Sequence, residues 1–501
     1  LFTNNDWNEN WAKSGEKGQI NISSSEDLLT LDLTINSNNV AEHWVDPRTI
    51  NYEYIFSDLD EEGVVVFELV FSDSAGNNGD IVVSTTNDSY IIFDKTAPED
   101  FTLGTVSSKG GNEVALFWNS TNTELSVTVP IDNDTTLNNG RVQILVKIGE
   151  REFEELGEQF IIEPDEVGLS KIISFEENTI RSITGFDQGA IITTSAIVFD
   201  IPGNQKNGLE SENLITIEEV SPNITHVSYK SDFSDTTLAT VGNQITVTIK
   251  TDEAIQEPSV MIFGNNTNIN FEGGNKWSST YTLQEQEPEG VVFFQINEIL
   301  DLAGNPKEGT SMTTDGSVVV FDNTRPTLDL VRIISNNSDS TWAKVGDSIL
   351  VTFIGSELLT QQSVTVSNQT ADVSDLGSEK YVAVYEMKNE DPEGQVNFQI
   401  IVTDSVGLES QVVSETSNSS TVIFDKTLPL LNEVSISSTN SNNSSIAVTG
   451  DDVILLFTST EPLLFESLIV TIAGETAVLT QEGDIFKGTL NLSGNEPGGI
   501  L

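Results

Sequence analysis

The sequence predicts an all-β protein, a tandem array of antiparallel β-sandwich modules that forms an elongated rod. Three observations predict this fold class. Sequence blocks recur at a period of about 104 residues, apolar and polar residues alternate within short segments, and clusters of Asn, Gly, Asp and Ser separate these segments. Alternation at a period of two is typical of half-buried strands, and short strands between turns are typical of sandwiches. No segment has the pattern of a convincing amphipathic helix.

The most distinct block is an apolar run followed by Phe-Asp-x-Thr-x-Pro. It occurs at residues 93–98, 321–326 and 424–429, with a degenerate copy at residues 217–222. The prolines that end the four copies are separated by 124, 104 and 103 residues. Self-similarity at a nearly fixed period indicates a repeat architecture in which each repeat is one structural unit.

Two further blocks recur in step with the first. Asp-x-x-Gly loops begin at Asp73, Asp200, Asp301 and Asp404, and an asparagine follows the first three loops as Asn77, Asn204 and Asn305. A glycine turn that leads into a strand stands at Gly15, Gly111, Gly242, Gly346 and Gly450. An acid stands eleven residues beyond four of these glycines, at Glu26, Glu253, Glu357 and Glu461.

Local patterns predict the individual strands. Ile245, Val247 and Ile249 alternate with threonines, which predicts a half-buried strand. The apolar runs at residues 64–67 and 318–321 predict strands that are covered more completely. These patterns favour about seven short strands in two sheets for every hundred residues.

The repeat divides the chain into five predicted modules, called modules 1 to 5 here: residues 1–98, 99–222, 223–326, 327–429 and 430–501. By alignment of the blocks, module 1 starts inside a repeat, and module 5 is incomplete because it lacks an Asp-x-x-Gly loop and the final strands. Two interpretations stay open: the residues are a window from a longer array, or another subunit donates the missing strands. The start at Leu1, without a signal peptide, is that of a mature or cut segment.

Composition excludes several classes of protein. The chain has 78 acidic residues against 22 Lys and Arg, a formal net charge of -56, no cysteine and two histidines. Such a chain repels phosphate, so we expect no nucleic-acid partner and no polybasic contact with a membrane surface. Without cysteine there are no disulfides or thiolate zinc sites, and His43 and His226 alone do not suggest a nucleophilic site. No apolar run reaches the ~18 residues of a membrane helix, so we expect no direct membrane insertion by this segment.

These blocks resemble the bacterial immunoglobulin-like (Ig-like) repeats of very large surface proteins and adhesins. The pattern of that family runs from a Val-Gly-Asp strand start, through an acid loop, to Asp-x-Ala-Gly-Asn and then Phe-Asp-x-Thr-x-Pro. Residues 345–347, Glu357, Asp404 and residues 424–429 match it. The resemblance covers most of the chain and implies Ig-like sandwiches. Module 2 departs most, and is either a fibronectin-III-like relative or a repeat with an insertion.

The resemblance implies a non-enzymatic, extracellular structural protein at the cell surface: a stalk, a surface filament or a component of a cell-surface hair. Its partners would be other copies of itself or other filament and surface proteins. The alternative is an adhesin in which one module, with module 2 as the first candidate, binds a glycan or a protein while the others are spacers. A third interpretation is the accessory array of an enzyme whose catalytic domain lies elsewhere.

The repeated acids suggest calcium, which takes six to eight oxygen ligands and stiffens extracellular rods at their junctions. The alternative for an Asp before a Gly turn is a bond to its own backbone. No dense Asp-x-Asp-x-Asp loop with calcium-loop spacing is present. The candidate ligands are Asp94, Asp322 and Asp425 at the exits, Glu26, Glu253, Glu357 and Glu461 in the acid loop, and Asp73, Asp200, Asp301 and Asp404.

Asn-x-Ser/Thr sequons are the second candidate feature. Twelve occur, little more than the roughly nine that composition gives by chance, and they would carry glycans if the chain is secreted by a eukaryote or an archaeon. They stand at Asn21, Asn87, Asn119, Asn133, Asn223, Asn265, Asn336, Asn368, Asn418, Asn442, Asn443 and Asn491.

Aromatic and basic residues leave two further alternatives. Trp277, Tyr381 and Phe486 recur with the repeat, which predicts core positions, whereas Trp7, Trp11 and Trp44 do not and are candidates for a surface aromatic platform. Five of the 22 cations lie between residues 141 and 181, on a solvated hairpin face or on a docking surface for the acidic faces of neighbouring chains: Arg141, Lys147, Arg151, Lys171 and Arg181.

Overall fold

A computed structural model describes residues 1–500 of the chain, which divides into two compact units, Leu1–Asp322 and Asn323–Leu501. Nearly all regular elements are strands, which confirms the predicted all-β fold with tandem sandwiches. The described residues contain one short α-helix, Glu177–Arg181, and two 3₁₀ turns, Thr135–Leu137 and Phe465–Ser467. No helix among them has the length and apolar content that a membrane span requires.

Module 1 contains ten strands around one hydrophobic core. Its sheets have the orders β1-β3-β7-β6, β5-β4-β9 and β2-β10-β8, and Ile20, Leu33 and Tyr52 are among the buried residues between them. Strands β1 to β10 span Phe2–Thr3, Trp11–Ala12, Lys17–Ser23, Leu28–Ile35, Asn38–Asn39, Glu42–Asp46, Thr49–Ile55, Gly63–Val64, Phe67–Asp73 and Ile92–Phe93.

Module 2 has the largest core. A three-stranded sheet of order β11-β13-β16 faces a second sheet of order β12-β19-β17-β14-β15, with β18 paired to β17. Strands β11 to β19 span Val106–Lys109, Phe117–Trp118, Glu124–Pro130, Arg141–Ile148, Glu154–Ile161, Ser170–Glu176, Ile191–Phe199, Gln205–Asn207 and Ile215–Ile217.

Module 3 repeats the plan of module 1. Its sheets have the orders β20-β22-β26-β25, β21-β31-β27 and β24-β23-β28, with a two-stranded β29-β30 ribbon. Strands β20 to β31 span Ile224–Ser231, Leu238–Ala239, Gln244–Thr251, Val260–Ile262, Asn265–Asn266, Asn268–Gly273, Lys276–Thr282, Gly290–Val291, Phe294–Ile296, Ile299–Leu300, Pro306–Lys307 and Val320–Phe321.

The second unit contains modules 4 and 5. The sheets of module 4 have the orders β32-β34-β38-β37, β33-β41-β39 and β36-β35-β40, and those of module 5 have the orders β42-β43-β47-β46 and β44-β45. Strands β32 to β41 span Leu328–Ser335, Trp342–Ala343, Ser348–Gly355, Gln361–Val366, Gln369–Thr370, Asp372–Asp375, Lys380–Glu386, Gly394–Gln395, Phe398–Thr403 and Ile423–Phe424, and β42 to β47 span Leu431–Ser438, Asp452–Ser459, Thr471–Ile472, Glu475–Thr476, Val478–Glu482 and Ile485–Asn491.

Strand burial follows the predicted alternation, and it does so even where continuous burial was predicted. Ile245, Val247 and Ile249 are at most 1% exposed. In the run at residues 64–67, however, Val65 is buried while Val64 and Val66 are more than 60% exposed, and the run at residues 318–321 alternates in the same way. The prediction of fuller cover was wrong because these strands are short and present only one face to the core.

A parallel strand pair joins the entrance and the exit of each of modules 1 to 4. In three modules a buried alanine faces the phenylalanine of the exit block, in the pairs Ala12–Phe93, Ala239–Phe321 and Ala343–Phe424. In module 2 the pair is Trp118–Ile217, with both side chains at most 1% exposed. In module 2 the larger side chain, Trp118, therefore stands on the entrance strand, and the smaller one, Ile217, stands on the exit strand. The degenerate exit block of module 2 thus still fills the same volume.

The recurrent glycine turn has a backbone cause. Gly15, Gly242, Gly346 and Gly450 all adopt φ between 86° and 93°, a left-handed conformation that other residues rarely take. Gly111 is different, because it precedes β12 rather than following it, and so it is not the equivalent turn of module 2.

Candidate functional site: acidic loops and module junctions

The Asp-x-x-Gly loops are closed by their own aspartates. Asp200, Asp301 and Asp404 are at most 1% exposed. The Oδ1 of Asp200 accepts hydrogen bonds from the backbone N–H groups of Gly203 at 2.8 Å and Asn204 at 2.7 Å. The other two loops form the equivalent bond four residues on. The local backbone bond that the sequence offered as an alternative to a cation is therefore present.

The asparagine after the loop satisfies the second carboxylate oxygen. The Nδ2 groups of Asn77, Asn204 and Asn305 donate to the Oδ2 of Asp73, Asp200 and Asp301 at 2.8, 2.9 and 2.8 Å. Leu408 occupies this position in the fourth loop. As a result, the buried Oδ2 of Asp404 has no hydrogen-bond partner among residues 1–500.

Two of these asparagines, Asn204 and Asn305, connect successive modules within the unit Leu1–Asp322. The Nδ2 of Asn204 also donates to the backbone oxygen of Asp94, at 3.0 Å, and that of Asn305 to the backbone oxygen of Glu218, at 2.9 Å. Asp94 and Glu218 hold the same position in the exit blocks of modules 1 and 2. Each loop is thus bonded to the exit of the module before it.

Further bonds surround each of these two junctions. At the first, Lys13 Nζ donates to the backbone oxygen of Gly203 at 2.7 Å, and Trp7 packs edge-on against Phe199 with ring centroids 5.4 Å apart. At the second, the Nδ2 of Asn119 donates to the backbone oxygen of Ala303 at 2.7 Å. Polar side chains and one aromatic pair therefore contribute to these contacts.

The exit block is braced by a glutamate that the sequence analysis missed. The Thr96 hydroxyl donates to Glu62 Oε1 at 2.6 Å, and the Thr427 hydroxyl donates to Glu393 Oε1 at the same distance. These glutamates precede a glycine in a Glu-Gly pair that recurs at residues 62–63, 289–290 and 393–394, and this recurrence was the available signal. This hydrogen bond explains why the threonine recurs at the same place within the exit block.

Carboxyl groups converge at the first junction. Burial raises the pKa of Asp94 to about 6, helped by the charge of Glu62, and burial raises the pKa of Asp200 to about 7, helped by the charge of Asp94. The Oδ2 of Asp94 is buried without a hydrogen-bond partner among the described residues. Burial at this junction therefore disfavours the charged form of both carboxyl groups.

These shifts predict that the unit Leu1–Asp322 loses stability as the pH rises from about 5 to about 8. In that window the folded carboxyls hold protons that the unfolded chain, with a pKa of about 4, has already released, so the free energy of unfolding falls as the pH rises. Thermal melts across this range test the slope, and Asp94→Asn is expected to reduce it. A slope of the opposite sign would contradict the raised pKa values.

Carboxyl groups converge at the second junction as well. Burial, and then contact with Asp301, raises the pKa of Glu218, while burial and the charges of Asp301 and Asp252 raise the pKa of Glu253. Glu218 was absent from the predicted ligands because its exit block is degenerate. Its position in the repeat, four residues before Pro222, was the signal that identifies it.

Module 4 contains a pair of acids whose carboxylates lie close together. Carboxylate oxygens of Glu357 and Asp404 lie within 4.8 Å of each other. Asp404 is 1% exposed, and its Oδ2 is the one left without a partner by Leu408. Two carboxylates lie close together here, and one of them has a buried oxygen without a hydrogen-bond partner. A hard cation such as calcium stabilises such an arrangement.

Several other predicted ligands are exposed or bond their own turns. Glu26 is exposed in a loop, and Asp73 bonds only its own loop through Ala75 and Asn77. The half-buried Asp425 accepts from the N–H of Thr427. The two others are Asp322, whose N–H donates to the Ala239 oxygen, and Glu461, whose N–H donates to the Ser459 hydroxyl.

Eleven of the twelve sequon asparagines are exposed, and Asn119 is the exception. It is 0% exposed, and its Nδ2 donates to the backbone oxygens of Asn112 and Ala303 at 2.6 and 2.7 Å. A glycan on this nitrogen would break both bonds, so Asn119 is excluded from the candidate sites in the folded chain. The other eleven remain candidates.

Four of the five cations of residues 141–181 are engaged within the unit. Lys147 pairs with Glu210 at 2.7 Å, and Lys171 pairs with Glu166 at 2.8 Å. The other two engaged cations are Arg141, which lies 4.6 Å from the Trp7 ring centre, and Arg181, which pairs with Glu177 and Glu219. Acids compensate the charge of three of these four cations, which disfavours a docking surface for the acidic faces of neighbouring chains.

No protein-family model matches the chain, and no curated protein sequence matches it. Among solved structures, the chain is similar to a Ca²⁺-stabilised adhesin that helps an Antarctic bacterium bind ice, at 14% identity over 83% of this chain and 97% of that chain, with a TM-score of 0.40. It is also similar to a 1.5-MDa bacterial ice-binding adhesin, at 14% identity over 66% and 100% of the two chains, with a TM-score of 0.33. The human desmocollin-1 ectodomain follows at 12% identity over 93% and 87%, with a TM-score of 0.25. The function of this chain is therefore inferred from its own residues.

Proposed function

We propose that the chain is a non-enzymatic, extracellular structural protein whose five modules act as a spacer, in a stalk, surface filament or cell-surface hair. The observation that carries this proposal is the repeated bond from a loop asparagine to the preceding exit, made by Asn204 and by Asn305. A spacer needs neighbouring modules that keep one relative orientation, and a bond between rigid turns limits rotation at the junction.

Spin labels test whether this bond fixes the first junction. The chain has no cysteine, so Leu59→Cys and Leu169→Cys, at positions 95% and 65% exposed in modules 1 and 2, give two unique attachment sites. We expect a narrow distance distribution that broadens with Asn204→Ala. Asn77→Ala is the matched control because Asn77 bonds only its own loop. A broad distribution in the unsubstituted chain would contradict the spacer proposal.

We also propose that the Asp404 loop binds calcium. The support is the buried Oδ2 of Asp404 without a hydrogen-bond partner, and the carboxylate of Glu357 within 4.8 Å. Asn204 and Asn305 donate to the Oδ2 atoms of Asp200 and Asp301. The Oδ2 of Asp404 has no such bond among residues 1–500. Calcium would supply the missing positive charge and accept both carboxylates as ligands.

The adhesin alternative has support from a different module than the one predicted. Module 2, the first candidate, has four of the five cations of residues 141–181 engaged, whereas module 1 carries a groove lined by Trp44 and acidic residues. A binding function and a spacer function are compatible in a chain of several modules.

A further inference from the structure

Module 1 carries a groove of about 560 Å³ along one side of its sandwich. One wall is β4 from Leu28 to Asp32, and the other is β6 and the turn after it, with Glu42, Trp44 and Pro47. The N–H of Leu28 donates to the oxygen of Pro47 at 3.1 Å and joins the two walls at one end. The groove therefore lies between two strands that belong to different sheets.

The β6 wall has an open strand edge. β6 is the outer strand of its sheet, and its five residues are exposed or half-buried. The free side of β4 is largely occupied, because the Leu31 oxygen accepts from the Tyr52 hydroxyl and the Leu33 oxygen accepts from the N–H of Val40. Each wall also contains a β-bulge, with Leu29 and Val45 as the extra residues. Bulges limit indiscriminate pairing of an edge and redirect side chains, and they are frequent beside binding sites. An open edge offers backbone N–H and C=O groups to an added strand.

The groove is acidic on both sides. Asp32, Glu42 and Asp46 line it, and none of the three forms an ion pair with Lys or Arg within residues 1–500. The Tyr52 hydroxyl lies beneath, donating to the Leu31 oxygen at 3.0 Å, and burial followed by the charges of Glu42 and Asp32 raises the pKa of Tyr52 to about 12. Carboxylates from opposite walls therefore face the same space.

An aromatic surface completes the groove. Trp44 packs in part against the core of module 1 and also lines the groove. An indole face attracts ammonium and guanidinium groups, and the attraction increases when carboxylates lie nearby. The positions of Trp7 and Trp11 differ, because Trp7 packs on Phe199 at the first junction and Trp11 lies in β2.

We propose that this groove binds an extended peptide segment that carries Lys or Arg side chains. Its backbone pairs with the open edge of β6, whose 5 residues are long enough for about five residues of added strand. Its cationic side chains reach Asp32, Glu42 and the indole of Trp44. A neutral sugar would leave the three carboxylates uncompensated, whereas a basic peptide matches their charge.

Fluorescence anisotropy with the whole chain tests the proposal. The probe is a labelled Lys-Val-Lys-Val-Lys peptide at about 0.15 M salt, where distant surface charge is largely screened. We expect Asp32→Asn/Glu42→Gln to weaken binding by about tenfold or more, and Asp372→Asn/Glu386→Gln, on exposed positions of module 4, to weaken it by less than about twofold. The two double variants make the same change in net charge, so their difference separates the groove from general attraction to an acidic chain.

Backbone methylation of the peptide supplies the second test. Only alternate N–H groups of a strand face its partner, so methylating one alternate set is expected to abolish binding and methylating the other set to preserve it. Equal binding by both methylated peptides, or equal loss in the two double variants, would overturn the proposal. Binding of a neutral oligosaccharide with no binding of the peptide would overturn it as well. Thermal melts of the double variants confirm that they fold. The distances between spin labels at residues 59 and 169, with and without Asn204→Ala, test the spacer proposal independently.

Discussion

Trp118→Ala is expected to lower the free energy of unfolding of the module 2 core by about 4 kcal/mol. Trp118 is 0% exposed, pairs in parallel with Ile217 and donates from Nε1 to Glu219 at 3.1 Å. Isoleucine is too small to fill the volume that the indole vacates, so a cavity remains. Hydrogen exchange of β13, β14 and β17 measures the effect on this module separately from its neighbours.

A second substitution distinguishes this explanation from general damage to the core. Ile217→Phe alone is expected to destabilise by about 1–3 kcal/mol through overpacking. Together with Trp118→Ala it recreates the alanine–phenylalanine pair of the other modules, as at Ala12 and Phe93. We therefore expect the double variant to be more stable than Trp118→Ala. Additive losses would show that the two strands do not share one volume.

Calcium is expected to stabilise the unit Asn323–Leu501 by about 3 kcal/mol at a hundredfold excess over its dissociation constant. The cation binds the folded Asp404 loop, where two carboxylates are close together, and the unfolded chain has no such arrangement. Calorimetry with added calcium or with a chelator measures the shift in melting temperature. A melting temperature that the chelator leaves unchanged would contradict the proposal.

Two variants locate the calcium effect. Asp404→Asn removes a ligand charge and is expected to abolish the shift, whereas the exposed Asp372→Asn makes the same charge change and is expected to preserve it. Leu408→Asn restores the residue that follows the other three loops. Its amide can donate to the unpartnered Oδ2 of Asp404, so we expect this variant to be more stable without calcium and less responsive to it.

The repeat was readable in the sequence because one fold imposes the same local requirements each time. A left-handed turn calls for glycine, as at Gly15 and Gly346, and a half-buried strand calls for alternation, as at residues 245–249. These requirements involve residues that are close in sequence. The all-β class and the candidate Asp-x-x-Gly loops followed from them.

Exchange of side chains between strands was not readable. The exit of module 2 looked degenerate because Ile217 replaces phenylalanine, and the compensating Trp118 lies about a hundred residues earlier on a parallel strand. Gly111 was assigned to the entrance turn for the same reason, since only the pairing of β12 with β19 shows where that entrance lies. Packing joins distant residues, and no local pattern records the pairing.

The residue four positions on decides how each buried loop aspartate is satisfied. The sequence marked Asp200, Asp301 and Asp404 equally, yet Asn204 and Asn305 bond the second oxygens of the first two. Leu408 leaves the Oδ2 of Asp404 without a hydrogen-bond partner among residues 1–500. The sequence also marked twelve asparagines equally as glycan candidates, of which only Asn119 is buried, beneath the loop of the next module.

The sequence by itself determined what one residue and its near neighbours need: the strand period, the turns and the repeat. The tertiary structure alone decided which carboxylates meet, which cations are already paired and where strands of two sheets leave a groove beside Trp44. The physical reason is distance. Electrostatic and packing energies depend on separation in space, and folding a sandwich brings together residues that lie far apart along the chain.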